Sequence, residues 1–596
     1  MTCKEEKKTE RLINHPIIQL YHEDVLVSGW KDVDAFLRQT ILSKINKKNP
    51  VCIVGIDGYP GTDWLTIISH LKVLFTDKNV ETIFINVENS QLSKEKTDNL
   101  LQPYLGSDPI FGKIYKKELS TLYDPEKIQE LKTKLVKLKK RSEPTQPLIV
   151  ICYGTGTLLK KLRSEYDIKI YFDLSRETTL KRNKDWGESS GKTQSIGPKK
   201  LYYVDMQVND SHRNRLLESL DYYVDGNDTE SPVLTATNTF LKITNSLANS
   251  PIRLKYFYEP GPWGGQWLKR IRELPTDWVN CAWSFEVIAT EMSLLVKVGE
   301  ETLEIPWTTF FYLQYDLIMG NIPRRRFNGE FPIRFDYLDT MDGGDLSIQV
   351  HPGTSYIQKN FGETYHQGEM YYLVDAKKGA TVNLGLKEDA DLQEFKQAAL
   401  LAEEKGIKLD GNRFVNKVPG KKHDLLMIPP GTVHGAGEGL VVLEISSTTY
   451  RYTFKIYDYL RPDLNGSMRP IHIEHAFNVI KPFRRSKWVA ENLIQQPVLI
   501  RSGSGWEEYL IGDRKEFFHV VYRIEFDQEI EDDTSNNFHL LTLVEGDSVE
   551  LYSVEDPNKF VEIDYSETVI IPACFGKYKM VNQGMKKAKV VKARLR

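Results

Sequence analysis

Cysteine is scarce in this chain. Five occur among 596 residues, Cys3, Cys52, Cys152, Cys281 and Cys574, and no two form a CxxC pair. That excludes a disulfide framework and predicts a reducing compartment. Long apolar runs are missing too: none approaches the ~18 residues that a membrane-spanning helix requires. The opening stretch, MTCKEEKKTERLINHP, lacks an apolar core, so no secretory leader is expected. A cytoplasmic chain follows, with no membrane partner. Charge of one sign is also absent. The formal net charge is −3, which argues against a nucleic-acid-binding surface. What is present is ordinary for a soluble globular protein, 40% hydrophobic and 27% charged. The chain is too long for one core and predicts two to four domains.

The first third alternates short apolar runs with helical patterns. VCIVG (residues 51–55), ETIFINV (81–87), PLIVICYG (147–154) and IKIYFDLS (168–175) read as buried parallel strands. A glycine-rich turn, GIDGYPGTDW, follows the first and precedes a helix, the context of a phosphate-binding loop. Residues 49–227 resemble the uridine-kinase-like P-loop phosphotransferases. The family loop reads G-x-x-x-x-G-K-[ST]. From Gly58 this chain places Asp63, Trp64 and Leu65 at the second glycine, the lysine and the hydroxyl. The lysine neutralises phosphate charge and the hydroxyl holds magnesium. An aspartate and an indole do neither, so a scaffold or oligomerisation role is expected. Arg176 and Arg182 stand where the resemblance implies lid arginines. The basic run KTKLVKLKKR (132–141) is the solvated face of a helix.

The chemistry concentrates further on. In LSIQVH (346–351), Gln349 and His351 are two apart in a strand-like run, so their side chains share a face. Glu369 opens the next run, EMYYLVD. The turn PPGT (429–432) then delivers His434 at the head of another strand. Two imidazoles, a carboxylate and an amide oxygen suit one divalent transition metal, zinc first.

Pro429, Gly431 and His434 form the PxGxxH of the second cupin motif. QVHP followed by GE-aromatic-aromatic is narrower and resembles the type I (cupin) mannose-6-phosphate isomerases, bacterial branch. FPIRFDYLDTMDGGDLSIQVHP, GATVNLGLKED, NKVPGKKHDLLMIPPGTVHGAGEG and KIYDYLRPD look like successive blocks of that family. The resemblance covers residues 255–596. It implies a metal-dependent aldose–ketose isomerase acting on hexose 6-phosphates through a cis-enediol. Glu444 is then a candidate base or an orienter of His434. Lys387 and Arg461 are candidates for substrate binding. Trp263, Trp283 and Trp307 read as core, and the Arg324, Arg325, Arg326 triple as a surface loop.

Two departures stand out. The family arginine over substrate aligns with Lys455 when the match is anchored on YDY and with Arg451 when it is anchored on TTYR. The position two before the metal glutamate, commonly lysine, is Gln367, and neighbouring His366 could relay a proton instead. A sugar-phosphate-binding regulatory protein and another cupin enzyme therefore stay open as alternatives.

From residue 482 short alternating strands recur. PACFGKY (572–578) has no histidine where the motif would place one, and His539 stands apart, so no second metal is expected. The sequence predicts a multidomain chain: an α/β P-loop-like parallel sheet (1–250), a metal-binding all-β cupin (jelly-roll) barrel (251–480), and a metal-free cupin-like barrel (481–596). Oligomerisation through the first domain is possible on this reading.

Overall fold

A computed structural model of the chain describes residues 11–75, 80–140, 146–189, 197–288, 290–449 and 451–596. Parts of the opening stretch, of the basic run and of the loop after it lie outside the described residues. The chain divides into two compact units. Met1–Leu247 with Glu291–Gln314 form the first, and Ala248–Thr290 with Tyr315–Arg596 the second. Residues 291–314 were expected in the middle domain but belong to the first unit. Their hairpin, Ser293–Val298 with Glu301–Pro306, pairs with Ile13–Asn14. Among the described residues no helix is long and apolar enough to cross a membrane.

The first unit is built on β1 (Val51–Gly58), β2 (Glu81–Asn86), β3 (Leu148–Tyr153), β4 (Ile168–Asp173) and β5 (Tyr222–Asp225). They run parallel in the order β2-β3-β1-β4-β5. Every residue of β1 is buried, as a central strand covered on both faces must be. Val233–Ala236 and Leu26–Ser28 extend the sheet antiparallel beyond β5.

The glycine turn after β1 leads into α1 (Trp64–Leu74). Asp63 caps this helix: its carboxylate accepts from the Thr66 amide at 3.2 Å and the Thr66 hydroxyl at 2.9 Å. An internal anion thus sits on the helix N-terminus. Trp64 is buried. The two lid arginines are also committed. Arg182 donates to Gly61 O, Gly226 O, Asn227 O and Thr229 Oγ1. Arg176 is buried against Asp210 at 2.8 Å.

The second unit holds two pairs of antiparallel sheets. The first pair uses β6 (Trp283–Val287), β7 (Ile333–Asp339), β8 (Ile348–Val350), β9 (Glu369–Ala376), β10 (Thr381–Leu386), β11 (Val415–Pro419), β12 (Leu425–Ile428), β13 (His434–Ala436), β14 (Leu440–Ser447) and β15 (Phe454–Tyr457). One sheet runs β12-β9-β14-β7-β6 and ends on Phe257–Glu259; the other runs β11-β10-β13-β8-β15. β7, β9 and β14 are almost wholly buried although they carry charged residues among their apolar ones. Trp263 here and Trp307 in the first unit are buried core residues, as read from the sequence, whereas Trp283 is half-buried.

The C-terminal pair has a six-stranded sheet, from Val498–Gly503 to Thr568–Ile571, and a four-stranded sheet, from Glu529–Asp533 to Phe560–Asp564. Ile524 and Leu541 of one face Ile530, Leu551 and Tyr578 of the other across a common core.

Candidate metal centre

The site lies between the two sheets of the first pair. Register sets Gln349 of β8 directly opposite His434 of β13. His351 follows β8, and Glu369 opens β9 in the facing sheet. The turn before β13 is shaped by Gly431, whose φ of +88° favours glycine. A Cβ there would also meet Lys481 Cγ at 2.6 Å and Val479 O at 2.7 Å. The Gly431 amide donates to His351 O at 2.8 Å, tying the turn to the other histidine. Arg484 clamps the same turn, donating to Pro429 O, Pro430 O and Thr432 Oγ1 at 2.6–2.7 Å. Burial lowers this guanidinium to about 10. Nothing in the sequence around KPFRRSKW marks that role.

His351, Glu369 and His434 are the one group among the described residues with metal-holding geometry, their ligand atoms all within 4.8 Å of one another. His351 Nε2 lies 2.9 Å from Glu369 Oε1, and His434 Nε2 lies 3.1 Å from Glu369 Oε2. All three are buried. His434 Nδ1–H donates to Thr432 O at 2.9 Å, which leaves the Nε2 lone pair facing Glu369. His351 Nδ1 similarly lies 3.4 Å from Tyr452 O. Lone pairs from two imidazoles and a carboxylate thus converge on one point, an arrangement a cation resolves. The donor set fits a divalent metal such as zinc.

Burial raises Glu369, but His351 and His434 outweigh it and hold the carboxyl well below its usual range. Burial lowers His351. Gln349 is placed with the cluster but turned. Its Oε1 accepts from Ser347 Oγ at 2.9 Å, while Nε2 faces His434 Nε2 at 3.4 Å. A half-turn of the amide exchanges the two. Gln367, buried, donates from Nε2 to Glu369 Oε1 at 2.6 Å.

Glu444 of β14 is diagonal to Glu369 across the β9–β14 ladder, on the same face. Burial, then Asp336 and Glu369, push it well above the usual carboxylate range. Arg334 pairs with it at 3.1 Å. Lys455 of β15 is opposite Gln349, and so on the site's face. Burial and then Arg469 lower it to about 8. Arg451 is half-buried in the turn before β15. Arg461 is engaged with Asp458 at 2.7 Å, as is Arg469.

Two candidates lie elsewhere. His366 has both ring nitrogens occupied, Nδ1 at 2.6 Å from Thr354 Oγ1 and Nε2 at 3.1 Å from Glu516 O. It has no nitrogen left to relay a proton. Lys387 is exposed after β10, its amide donating to Phe414 O. The sequence reading missed Arg334, Asp336, Arg469 and Arg484.

Comparison with known proteins divides the chain in the same way. Residues 37–249 match a family described as a domain of unknown function, DUF8485. Mannose-6-phosphate isomerase of Streptococcus mutans is 28% identical over 249 residues, 40% of this chain and 72% of that protein. The Bacillus subtilis protein named "Probable mannose-6-phosphate isomerase GmuF" is 36% identical over 153 residues, 25% of this chain and 44% of that protein. Among solved structures, mannose 6-phosphate isomerase from Bacillus subtilis aligns at 20% identity and a TM-score of 0.47. That alignment covers 58% of this chain and 99% of that one. The chain is thus similar in sequence to proteins named mannose-6-phosphate isomerase, and residues 37–249 match a separate domain family.

Proposed function

We propose that the second unit is a metal-dependent aldose–ketose isomerase that interconverts mannose 6-phosphate and fructose 6-phosphate. One observation carries the reading. The buried His351, Glu369 and His434 converge on one point, in a chain similar in sequence to proteins named for that reaction. His351, Glu369 and His434, with Gln349 after rotation of its amide, would hold one zinc ion. When bound, the dication polarises the substrate oxygens.

The chain's own groups supply the rest. Isomerisation moves a proton between C2 and C1 through a cis-enediol. Glu444 is the base on this reading: its carboxyl is buried beside Glu369, and burial raises its affinity for protons. Lys455, on the site's face, meets the phosphate or the developing oxyanion with its ammonium. The burial of Glu369 and Glu444 keeps the transfer out of bulk water.

The first unit is read as a degenerate kinase-like scaffold. Support comes from the Asp63 carboxylate on the α1 N-terminus and from Arg182, spent on backbone carbonyls. A sugar-phosphate-binding protein without turnover is the second reading. Gln367 favours it, because its amide is used on Glu369 and not on substrate.

The test is turnover of mannose 6-phosphate by protein stripped of metal and reloaded with zinc, beside His351→Ala. Zinc-restored activity that the variant lacks supports the isomerase. Stoichiometric zinc with tight sugar-phosphate binding and no turnover selects the second reading.

A further inference from the structure

The inner face of β7, β14 and β9 carries a buried ionic row beyond the metal ligands. Register sets Arg334 opposite Ser446, which is itself opposite Glu369. One step along, Asp336 is opposite Glu444, itself opposite Tyr371. Residues two apart in a strand share a face, so these six side chains form one patch. All six are buried. Arg334 Nη2 lies 3.1 Å from Asp336 Oδ2, and Arg334 Nη1 lies 3.1 Å from Glu444 Oε1. One planar guanidinium therefore braces two carboxylates from adjacent strands, a geometry that a lysine ammonium cannot reproduce.

We propose that Arg334 is a positioning residue of this site: bridging Asp336 and Glu444, it fixes the Glu444 carboxylate beside Glu369, where the sugar must bind. The role rests on the isomerase reading, in which Glu444 handles the proton. Arg334 is not among the groups that converge at the metal site and pairs with Glu444 instead, so it acts on the base. Asp336 anchors the other half of the fork. Without that anchor the guanidinium could swing with Glu444 rather than hold it. Misplacing a base by a fraction of an ångström slows proton transfer while leaving metal and phosphate contacts in place.

The experiment compares wild type, Arg334→Met and Arg334→Lys, each stripped and reloaded with zinc. It reads zinc per chain, kcat and KM for mannose 6-phosphate. Arg334→Met should keep its zinc, lose roughly 10–100-fold in kcat and change KM by less than about threefold. Arg334→Lys should recover part of kcat, having the charge without the fork. Should Arg334→Met fail to fold with its carboxylates unpaired, Arg334→Met/Asp336→Asn removes one of them and should show the same kcat loss. Turnover within twofold of wild type overturns the role, and so does loss of zinc in step with loss of turnover. Wild type that holds zinc but turns over no sugar overturns the isomerase reading and this role together. An active wild type with an unaffected variant overturns Arg334 alone.

Discussion

The two sheet pairs of the second unit each bury a polar cluster between their sheets, and they balance it differently. In the C-terminal pair, Lys592 Nζ lies 2.7 Å from Glu508 and 2.6 Å from Asp532. Arg501 pairs with the same two carboxylates. Two anions face two cations, and the cluster is closed. In the first pair, Asp336, Glu444 and Glu369 are in ion-pair or hydrogen-bond contact around a single guanidinium, Arg334. Three carboxyl groups share one cation there, and burial with their mutual repulsion raises Asp336 and Glu444. Unpaired buried charge is costly. One cluster is therefore balanced by side chains alone, whereas the other holds more acid than its own cation balances. The histidines follow suit. His539 is held against Tyr578 at 2.8 Å, whereas His351 and His434 turn their Nε2 atoms to Glu369.

The contrast is broken most severely by Glu369→Ala. It removes the carboxylate that both imidazoles face, and turnover should fall by about 10³-fold or more, since a metal Lewis acid is worth several kcal/mol. Zinc per chain, read by elemental analysis, should fall with it. Lys592→Met is the reciprocal change. It leaves Glu508 and Asp532 with Arg501 as their remaining cation and should cost about 1–3 kcal/mol of stability in denaturant unfolding, with zinc content unchanged in whatever fraction stays folded. Gln367→Ala removes one hydrogen bond to Glu369 and should weaken zinc binding or turnover by roughly 10-fold; a competition titration against a chelator checks it.

Proton titration sharpens the comparison with smaller effects. Lys455 is lowered to about 8 by burial and Arg469. If its ammonium meets substrate, kcat/KM should fall as pH rises through about 8. Lys455→Arg should remove that alkaline limb. In the C-terminal pair, burial and then Lys592 depress His539 to about 3. The unfolded chain takes up this proton near pH 6.5, well before the folded one. Its contribution to stability is therefore whole above about 6.5 and is lost progressively as pH falls toward 3. Thermal midpoints across that window should decline, and His539→Phe should flatten the decline.

The proposed metal ligands were legible because each sits in a local pattern: alternation for Gln349 and His351, the PxGxxH turn for His434, the head of a largely apolar strand for Glu369. The parallel sheet of the first unit was legible in the same way, from apolar runs such as VCIVG. What escaped depends on partners distant in the chain. FPIRFDYLD reads as a strand, yet nothing local says that Arg334 will meet Glu444, seven strands further along the chain. Arg484 is likewise invisible until the chain folds back onto the PPGT turn. His366 was misleading for a related reason. It lies close to Glu369 in sequence, but in a loop before the strand, where alternation gives no direction to its ring. Residues 291–314 read as part of the isomerase region, and only their pairing with Ile13–Asn14 assigns them to the first unit.

The most direct test of the account is a zinc titration of the stripped protein in which turnover and bound metal are followed together. The account predicts activity that rises linearly to one zinc per chain and then stops, and none in His351→Ala at any zinc level. Full turnover in the stripped protein, or a second equivalent of zinc needed for activity and retained by the variant, would contradict it.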